Sequence, residues 1–321
     1  MYNSRPQDAN YTLLVTISTL SPSPDITRTL QGKLAVWERP VVSDYELGVL
    51  LSTRLEALQT APSLQSYRTV VEKLKSFGLI FPDKDFKPGT VYHLFGRIKP
   101  KAMEVACAVD PFAYVSHLSA MEYHGLTDRF SRILYLTTPT DTEWREQAAA
   151  RMEKELRAQL AAYRAARLPL LRRLPFERIE GQRVELMRRS SRGAFKTIRS
   201  TAIRVATIGR TFLDMVREPR NCGGIQHVVD IYRAHAGRNL APIVEEIERR
   251  GNAVEKVRAG YLLDEVCRLS HPLIDGWAKH AQRGGSRMLD PQAEYASHYS
   301  GKWLLSINVP SLMPGFAEDG L

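Results

Sequence analysis

Hydrophobic positions in the first hundred residues fall into three helical stripes followed by an alternating ribbon. From Asp25 to Trp37, apolar Ile26, Leu30, Leu34 and Trp37 recur at three- and four-residue spacing, which predicts a first helix with Asp25 as its N-cap. Pro40 ends that stripe, and Ser43-Asp44-Tyr45-Glu46 fits a capping box, in which Ser43 and Glu46 each satisfy a free backbone N–H. The second helix is expected to run to about Arg54 and to bury Tyr45, Leu47, Leu50 and Leu51. Pro62-Ser63 opens a third, with Leu64, Val70, Val71, Leu74 and Phe77 facing inward and Gly78 as a left-handed C-terminal cap. Beyond Gly78 the pattern turns to strand: Leu79-Ile80-Phe81, a polar turn from Pro82 to Gly89, and Val91 to Phe95.

Three short helices followed by a two-stranded ribbon is the element order of a winged helix-turn-helix, whose third helix enters the DNA major groove while the ribbon lies along the backbone. The expected fold class is therefore α+β: residues 1–22 as an N-terminal extension, 23–98 as a winged helix-turn-helix, and 99–321 as a larger mixed α/β domain. In the second part, helices are predicted near Lys101 to Val109, Ser116 to Tyr123, Glu143 to Arg167, Thr211 to Arg217, Ile225 to His235, Leu240 to Arg250 and Ala253 to Arg268. Strands are predicted at Ile133 to Thr138, Phe176 to Ile179, Val184 to Met187, Ile203 to Ala206 and Trp303 to Ile307.

Composition adds a sign to this outline. The formal net charge is +10, so the chain carries a positive field that attracts polyanions, nucleic acid first among them. The excess is concentrated between Glu143 and Arg210, where 17 Lys and Arg face 7 Asp and Glu, a difference of 10. That concentration reads either as a second surface for phosphates or as a solvated helix held by pairs such as Glu153 with Arg157. Cys107, Cys222 and Cys267 are widely spaced with no C-x-x-C pair, and are expected to be buried thiols. Residues 11–20, YTLLVTISTL, are too short to span a bilayer and have no basic segment before them, which points to a cytoplasmic protein with no membrane partner.

Base edges are read by side-chain donors and acceptors, so a recognition helix needs polar residues on its outer face. Gln65, Ser66, Arg68, Thr69 and Lys73 are placed there by periodicity. Arg68 suits a bidentate contact to guanine and Gln65 one to adenine, while Lys73 is better placed for phosphate. The ribbon turn adds Lys84 and Lys87, and its base Arg97. Arg188, Arg189, Arg192 and Lys196 form a further candidate set, in a stretch of sequence with no intervening acid.

Rival chemistries fail on their motifs. A restriction-type nuclease wants Glu-x-Lys after an earlier Asp, and no Glu-x-Lys occurs. A nucleotidyltransferase needs Gly-Ser and then two acids one residue apart, but Gly285-Ser286 leads only to Asp290-Pro291. His117, Glu122 and His124 lack metal-ligand spacing, and no glycine-rich phosphate loop is present, so no cofactor, metal or catalytic residue is expected. The remaining alternatives are a DNA-processing enzyme targeted by the winged helix, and a winged helix that serves protein interaction alone.

Several segments carry a resemblance. DPFAYVSHLSAMEYHGLTDR from Asp110, the strand ILYLTTP, IGRTFLDMVREPRNCGGIQHVVDIY, and KWLLSINVP near the end follow one another behind the three-helix head. In this order they resemble the AbiEi family, antitoxins and transcriptional autoregulators of type IV toxin-antitoxin systems, over nearly everything after residue 40. The most specific pieces are Ser116, His117 and Ser119 with His124 and Gly125, and Arg210, Thr211 and Asp214 with Gly223 and Gly224. Both read as architectural: Gly125 would end a short helix, and Asp214 would hold Arg210 one helical turn away. The resemblance implies a repressor of its own promoter, acting at inverted repeats in double-stranded DNA. It also implies a C-terminal antitoxin domain that counters a nucleotidyltransferase toxin without a stable complex. Two features depart from the family pattern: Ile208-Gly209 before Arg210-Thr211, and the Arg-rich helix, which reads as an insertion.

Overall fold

The computed structural model describes residues 24–97, 99–190, 193–284 and 287–313, and the chain is mixed α+β. The expectations for residues 1–22, for Arg192 and for Gly285-Ser286 lie outside the described residues. No described helix is long and apolar enough to cross a membrane.

Helix α1 (Pro24–Ala35) opens on the proline itself, whose missing N–H would be unpaired in a first turn anyway. Asp25 therefore lies inside the helix and does not cap it. Strand β1 (Val41–Ser43), unforeseen in the pattern, leads into α2 (Asp44–Ala57) through the expected capping box. The Glu46 N–H donates to Ser43 Oγ at 3.2 Å, and the Ser43 N–H donates to Glu46 Oε2 at 2.9 Å. Helix α3 (Leu64–Ser76) is capped by Ser63 and buries Tyr67, Val70, Val71 and Leu74. Phe77 is 64% exposed, contrary to the expected stripe. It sits on the C-cap, where the turn to Gly78 at φ 65° carries it past the last helical turn, and Tyr67 supplies the inward aromatic instead. Strands β2 (Ile80–Pro82) and β3 (Val91–Leu94) complete an antiparallel sheet of order β1-β3-β2.

The body follows as α4 (Ala102–Val109), β4 (Tyr114–Val115), α5 (His117–Tyr123), β5 (Ile133–Pro139), α6 (Asp141–Leu156) and α7 (Leu160–Ala165). Next come β6 (Arg178–Ile179), β7 (Gln182–Arg189), β8 (Phe195–Thr197) and β9 (Arg204–Ala206). The six strands form one sheet of order β6-β7-β5-β4-β9-β8, in which β5 and β7 run parallel from Ile133↔Arg183 to Pro139↔Arg189. Strands β4 and β8 are two or three residues long and carry no period that a pattern could register. A helical lobe closes the chain: α8 (Ile208–Arg217), α9 (Ile225–His235), α10 (Leu240–Arg250), α11 (Ala253–Tyr261) and α12 (Pro272–Trp277). The segment predicted as a strand at Trp303 to Ile307 makes only single bridges, through Ser306 to Met288 and Tyr299. Its Trp303, Leu305 and Ile307 are buried in the lobe's core, while Leu304 at φ 48° interrupts the extended backbone.

The predicted helix from Glu143 to Arg167 is interrupted at Arg157, which takes φ 47°. The Glu153 with Arg157 pairing expected there gives way to Arg151 Nε with Glu155 Oε1 at 2.8 Å. Opposite its charged face the segment carries a buried stripe. Met152, Leu156, Tyr163 and Leu168 join Tyr45, Leu47, Leu51 and Leu55 of α2 in a single apolar core. Tyr163 lies across Gly48, with its hydroxyl donating to the Pro169 carbonyl at 2.6 Å. A Cβ at position 48 would collide with that hydroxyl, so glycine is needed for close approach. The lid formed by α6 and α7 is thus the missing side of the head's core.

Gly48→Ala is expected to lower unfolding free energy by about 1–3 kcal/mol through overpacking. Adding Tyr163→Phe, which removes the atom struck, should recover part of that loss in urea denaturation. Full additivity of the two substitutions would count against the notch.

Candidate nucleic-acid interface

The outward face of α3 presents Gln65 and Arg68, both exposed. Its other expected members are partly engaged at home. Ser66 belongs to the helix cap, its Oγ 2.8 Å from Ser63 Oγ, and the Thr69 hydroxyl donates to the Gln65 carbonyl at 3.0 Å. Lys73 is half-buried, and Glu72 brings an acid to the same surface, where it pairs with Lys75 at 2.8 Å. Lys84 and Lys87 stand exposed on the ribbon turn. Arg97 is exposed too, yet its guanidinium donates to the Ala35 and Trp37 carbonyls, which fastens the end of α1.

What leaves this face open is where the body grips the head. On α2, Tyr45 donates to Glu155 at 2.6 Å, Ser52 to Gln159 at 2.7 Å, and Arg172 to Asp44 at 3.1 Å. On the ribbon, Phe86 packs edge-on against Phe176 and Glu180 comes within 3.7 Å of His93, which within the ribbon meets Asp83 at 2.8 Å, a bond that favours the charged imidazole and raises its pKa. These contacts fall on α2 and the ribbon, and α3 keeps its outer surface.

The second basic set is partly engaged with acids elsewhere in the fold. No acid intervenes between Arg188 and Lys196 in sequence, but Arg188 pairs with Asp141 at 3.1 Å and Arg189 with Glu218. Sheet pairing brings the start of α6 and the end of α8 against β7, so the charges that periodicity left unopposed are met across the fold. Lys196 is exposed, over the Tyr123 ring.

The two motif groups converge on one buried joint between sheet and helical lobe. The Thr137 hydroxyl donates to Ser116 Oγ at 2.9 Å, and Ser116 Oγ lies 2.9 Å from His117 Nδ1. His117 Nε2 lies 2.7 Å from Glu218 Oε2. A neutral imidazole accepting from Ser116 and donating to Glu218 satisfies every group in the chain. Burial pushes the His117 pKa down to about 4, aided by Arg210, Arg189 and Arg217, while Asp214 opposes the shift. Glu218 does not reverse it, since Arg189 already balances that carboxylate. Hydroxyl, imidazole and carboxylate in line resemble a nucleophile with its base, but Ser116 is fully buried, leaving no approach for a substrate.

Arg210 and Asp214 form the expected pair at 2.8 Å, both almost fully buried, with the Gly193 backbone against the Arg210 guanidinium. Ser119 ties α5 to β5 by accepting the Tyr135 N–H at 3.0 Å, and His124 donates to the Ala206 carbonyl at 2.7 Å. Thr211 bonds back to the Thr207 carbonyl, and Gly125, Gly223 and Gly224 take φ between 63° and 93° at helix ends. Asp110, Glu218 and Arg204 were missed by sequence reasoning. Asp110 is buried and accepts from Thr138 at 2.8 Å and Trp144 at 2.9 Å, and Arg204 donates to the carbonyls of Cys107, Asp110 and Ala113. The only sequence signal was Asp110's place at the head of the DPF segment. Cys107 and Cys222 are buried as expected, while Cys267 is half-buried. The chain matches no protein-family model and no curated protein.

Because His117 titrates at about 4 in the fold and near 6.5 when unfolded, stability should be undiminished above pH 6.5 and fall as the pH drops toward 4. The expected loss is about 3 kcal/mol. Urea midpoints between pH 4 and 7 measure it, and His117→Gln should flatten this part of the profile; an unchanged slope would rule out His117 as its source.

Proposed function

We propose that the head is a winged helix-turn-helix that binds double-stranded DNA, with α3 in the major groove and the Lys84/Lys87 turn beside the phosphates. The observation that carries this reading is the open outer face of α3, with Gln65 and Arg68 exposed while the body holds the head by α2 and the ribbon. In this reading Arg68 and Gln65 touch base edges, and Lys73, Lys84 and Lys87 meet phosphates. Arg188 and Arg189 play a smaller part than their sequence suggests, since both are paired with acids.

Together with the AbiEi-like segments, this makes the protein a cytoplasmic autorepressor and antitoxin of a type IV system, acting at promoter inverted repeats and opposing a nucleotidyltransferase toxin. The body then works without catalysis of its own, a reading supported by the buried state of Ser116 and by the structural employment of both motif groups.

Arg68→Ala is expected to cost about 1–3 kcal/mol of affinity for the native upstream duplex while leaving random duplex nearly unaffected. Lys84→Ala and Lys87→Ala should weaken both duplexes alike and reduce the salt slope by about 1 each. Fluorescence anisotropy at several salt concentrations separates the two behaviours; equal losses on both duplexes for Arg68→Ala would remove it from base reading. For the antitoxin half, co-expression with a nucleotidyltransferase toxin encoded beside this gene should restore growth, and loss of rescue on deleting only the head, or the absence of such a gene, would contradict assignment of protection to the body.

A further inference from the structure

The ribbon of the head and the β6–β7 hairpin of the body bring three potential ligands to one point. Asp83 Oδ2, His93 Nε2 and a Glu180 carboxylate oxygen all lie within 4.8 Å of one another. His93 Nε2 is 2.8 Å from Asp83 Oδ2 and 3.7 Å from Glu180 Oε1, so both carboxylates face the same ring nitrogen. One N–H there can serve only one of them, and 3.7 Å is beyond hydrogen-bond reach. The Asp83 side chain is only 2% exposed and that of Glu180 13%, so water screens the two carboxylates little, while Lys99 Nζ stands 4.0 Å from the other oxygen of Glu180.

The Asp83 carboxylate and the backbone of Glu180 are each held in place. Asp83 Oδ1 accepts the Asp85 N–H at 2.8 Å, which leaves Oδ2 toward His93. Asp85 Oδ2 in turn accepts the Glu180 N–H at 2.7 Å, fixing the hairpin turn against the ribbon. The bond to Asp83 Oδ1 is of the kind that orients ligating carboxylates in metal sites. The residue at position 180 is itself unusual. Ile179 pairs with Gln182, so Glu180 and Gly181 are the two central residues of a tight turn, with φ of 50° and 79°. Such turns strongly favour Asn, Asp or Gly at the first position, so a glutamate there is strained. A glutamate in that place is explained by its reach to His93.

We propose that Asp83, His93 and Glu180 form a divalent transition-metal site that clamps the ribbon of the head to the body. A tetrahedral ion with bonds of about 2.0–2.2 Å sets its ligands roughly 3.4 Å apart, between the 2.8 and 3.7 Å of the two measured pairs. One imidazole with two carboxylates suits Zn²⁺ or a neighbouring first-row ion and disfavours Mg²⁺. His93 is 29% exposed on its side chain, which leaves an entry path and room for water at the fourth position. None of the three residues is assigned a DNA contact in the proposal above, although Asp83 lies directly before Lys84 on the ribbon turn.

The test is titration of the EDTA-treated full-length protein with Zn²⁺ by calorimetry, with Mg²⁺ as the control ion. One equivalent of Zn²⁺ should bind and raise the melting temperature, and His93→Gln and Glu180→Gln should each weaken binding at least tenfold with the fold intact by circular dichroism. Co²⁺ in place of Zn²⁺ should give a visible absorption band that His93→Gln alters. Absence of Zn²⁺ binding, or binding and a Co²⁺ band indifferent to both substitutions, would overturn the site and leave the three side chains as an ion cluster held by a proton. Because the readouts are metal affinity and spectrum, failure of DNA binding leaves this result untouched, and the reverse also holds.

Discussion

The seating of Tyr163 across Gly48 is the contact on which the arrangement of the chain depends. A three-helix head of this size buries too little apolar surface to be secure alone, and the stripe Met152, Leu156, Tyr163 and Leu168 supplies the side that its own helices leave uncovered. Because the lid comes from the middle of the body, head and body share one core instead of meeting at a polar seam. The direction in which α3 faces is then set by packing against α2, with the ribbon held separately by Phe86 and Phe176.

The same logic explains where the basic residues go. Much of the arginine excess is engaged inside the fold: Arg204 on three carbonyls, Arg217 on both oxygens of Glu255, Arg258 on the Met288 carbonyl, Arg210 on Asp214. Arginine suits this use because its planar fork keeps its charge while meeting several acceptors at once. A net charge of +10 therefore says that the molecule attracts anions, and says little about which surface does so.

Two polar joints connect the parts, and they differ in kind. In the joint between sheet and helical lobe, Thr137, Ser116, His117 and Glu218 form a donor-to-acceptor chain, with His117 buried, held neutral and at φ 50°. A non-glycine residue in that conformation persists only when its surroundings over-determine it, as four successive hydrogen-bonding groups do here. The joint between ribbon and hairpin turn is partly wet and holds two carboxylates on one imidazole. The first fixes the body internally, and the second decides how firmly the ribbon is held.

Local pattern determined much of this protein. The helices of the head, the Ser43/Glu46 capping box, Gly78 as the turn after α3, and the near-exact spans of α9 and α10 were legible because each rests on contacts between residues a few positions apart. The pairing of Arg210 with Asp214 was legible for the same reason. Only tertiary structure decided the remainder: the break at Arg157, the buried stripe on α6 and α7, the plug formed by Trp303 and its neighbours, and the acids that meet Arg188 and Arg189. Partners such as Arg189 and Glu218, or His93 and Glu180, are separated by dozens of residues. Their interaction depends on strand register and helix placement, and a one-dimensional period carries no information about either.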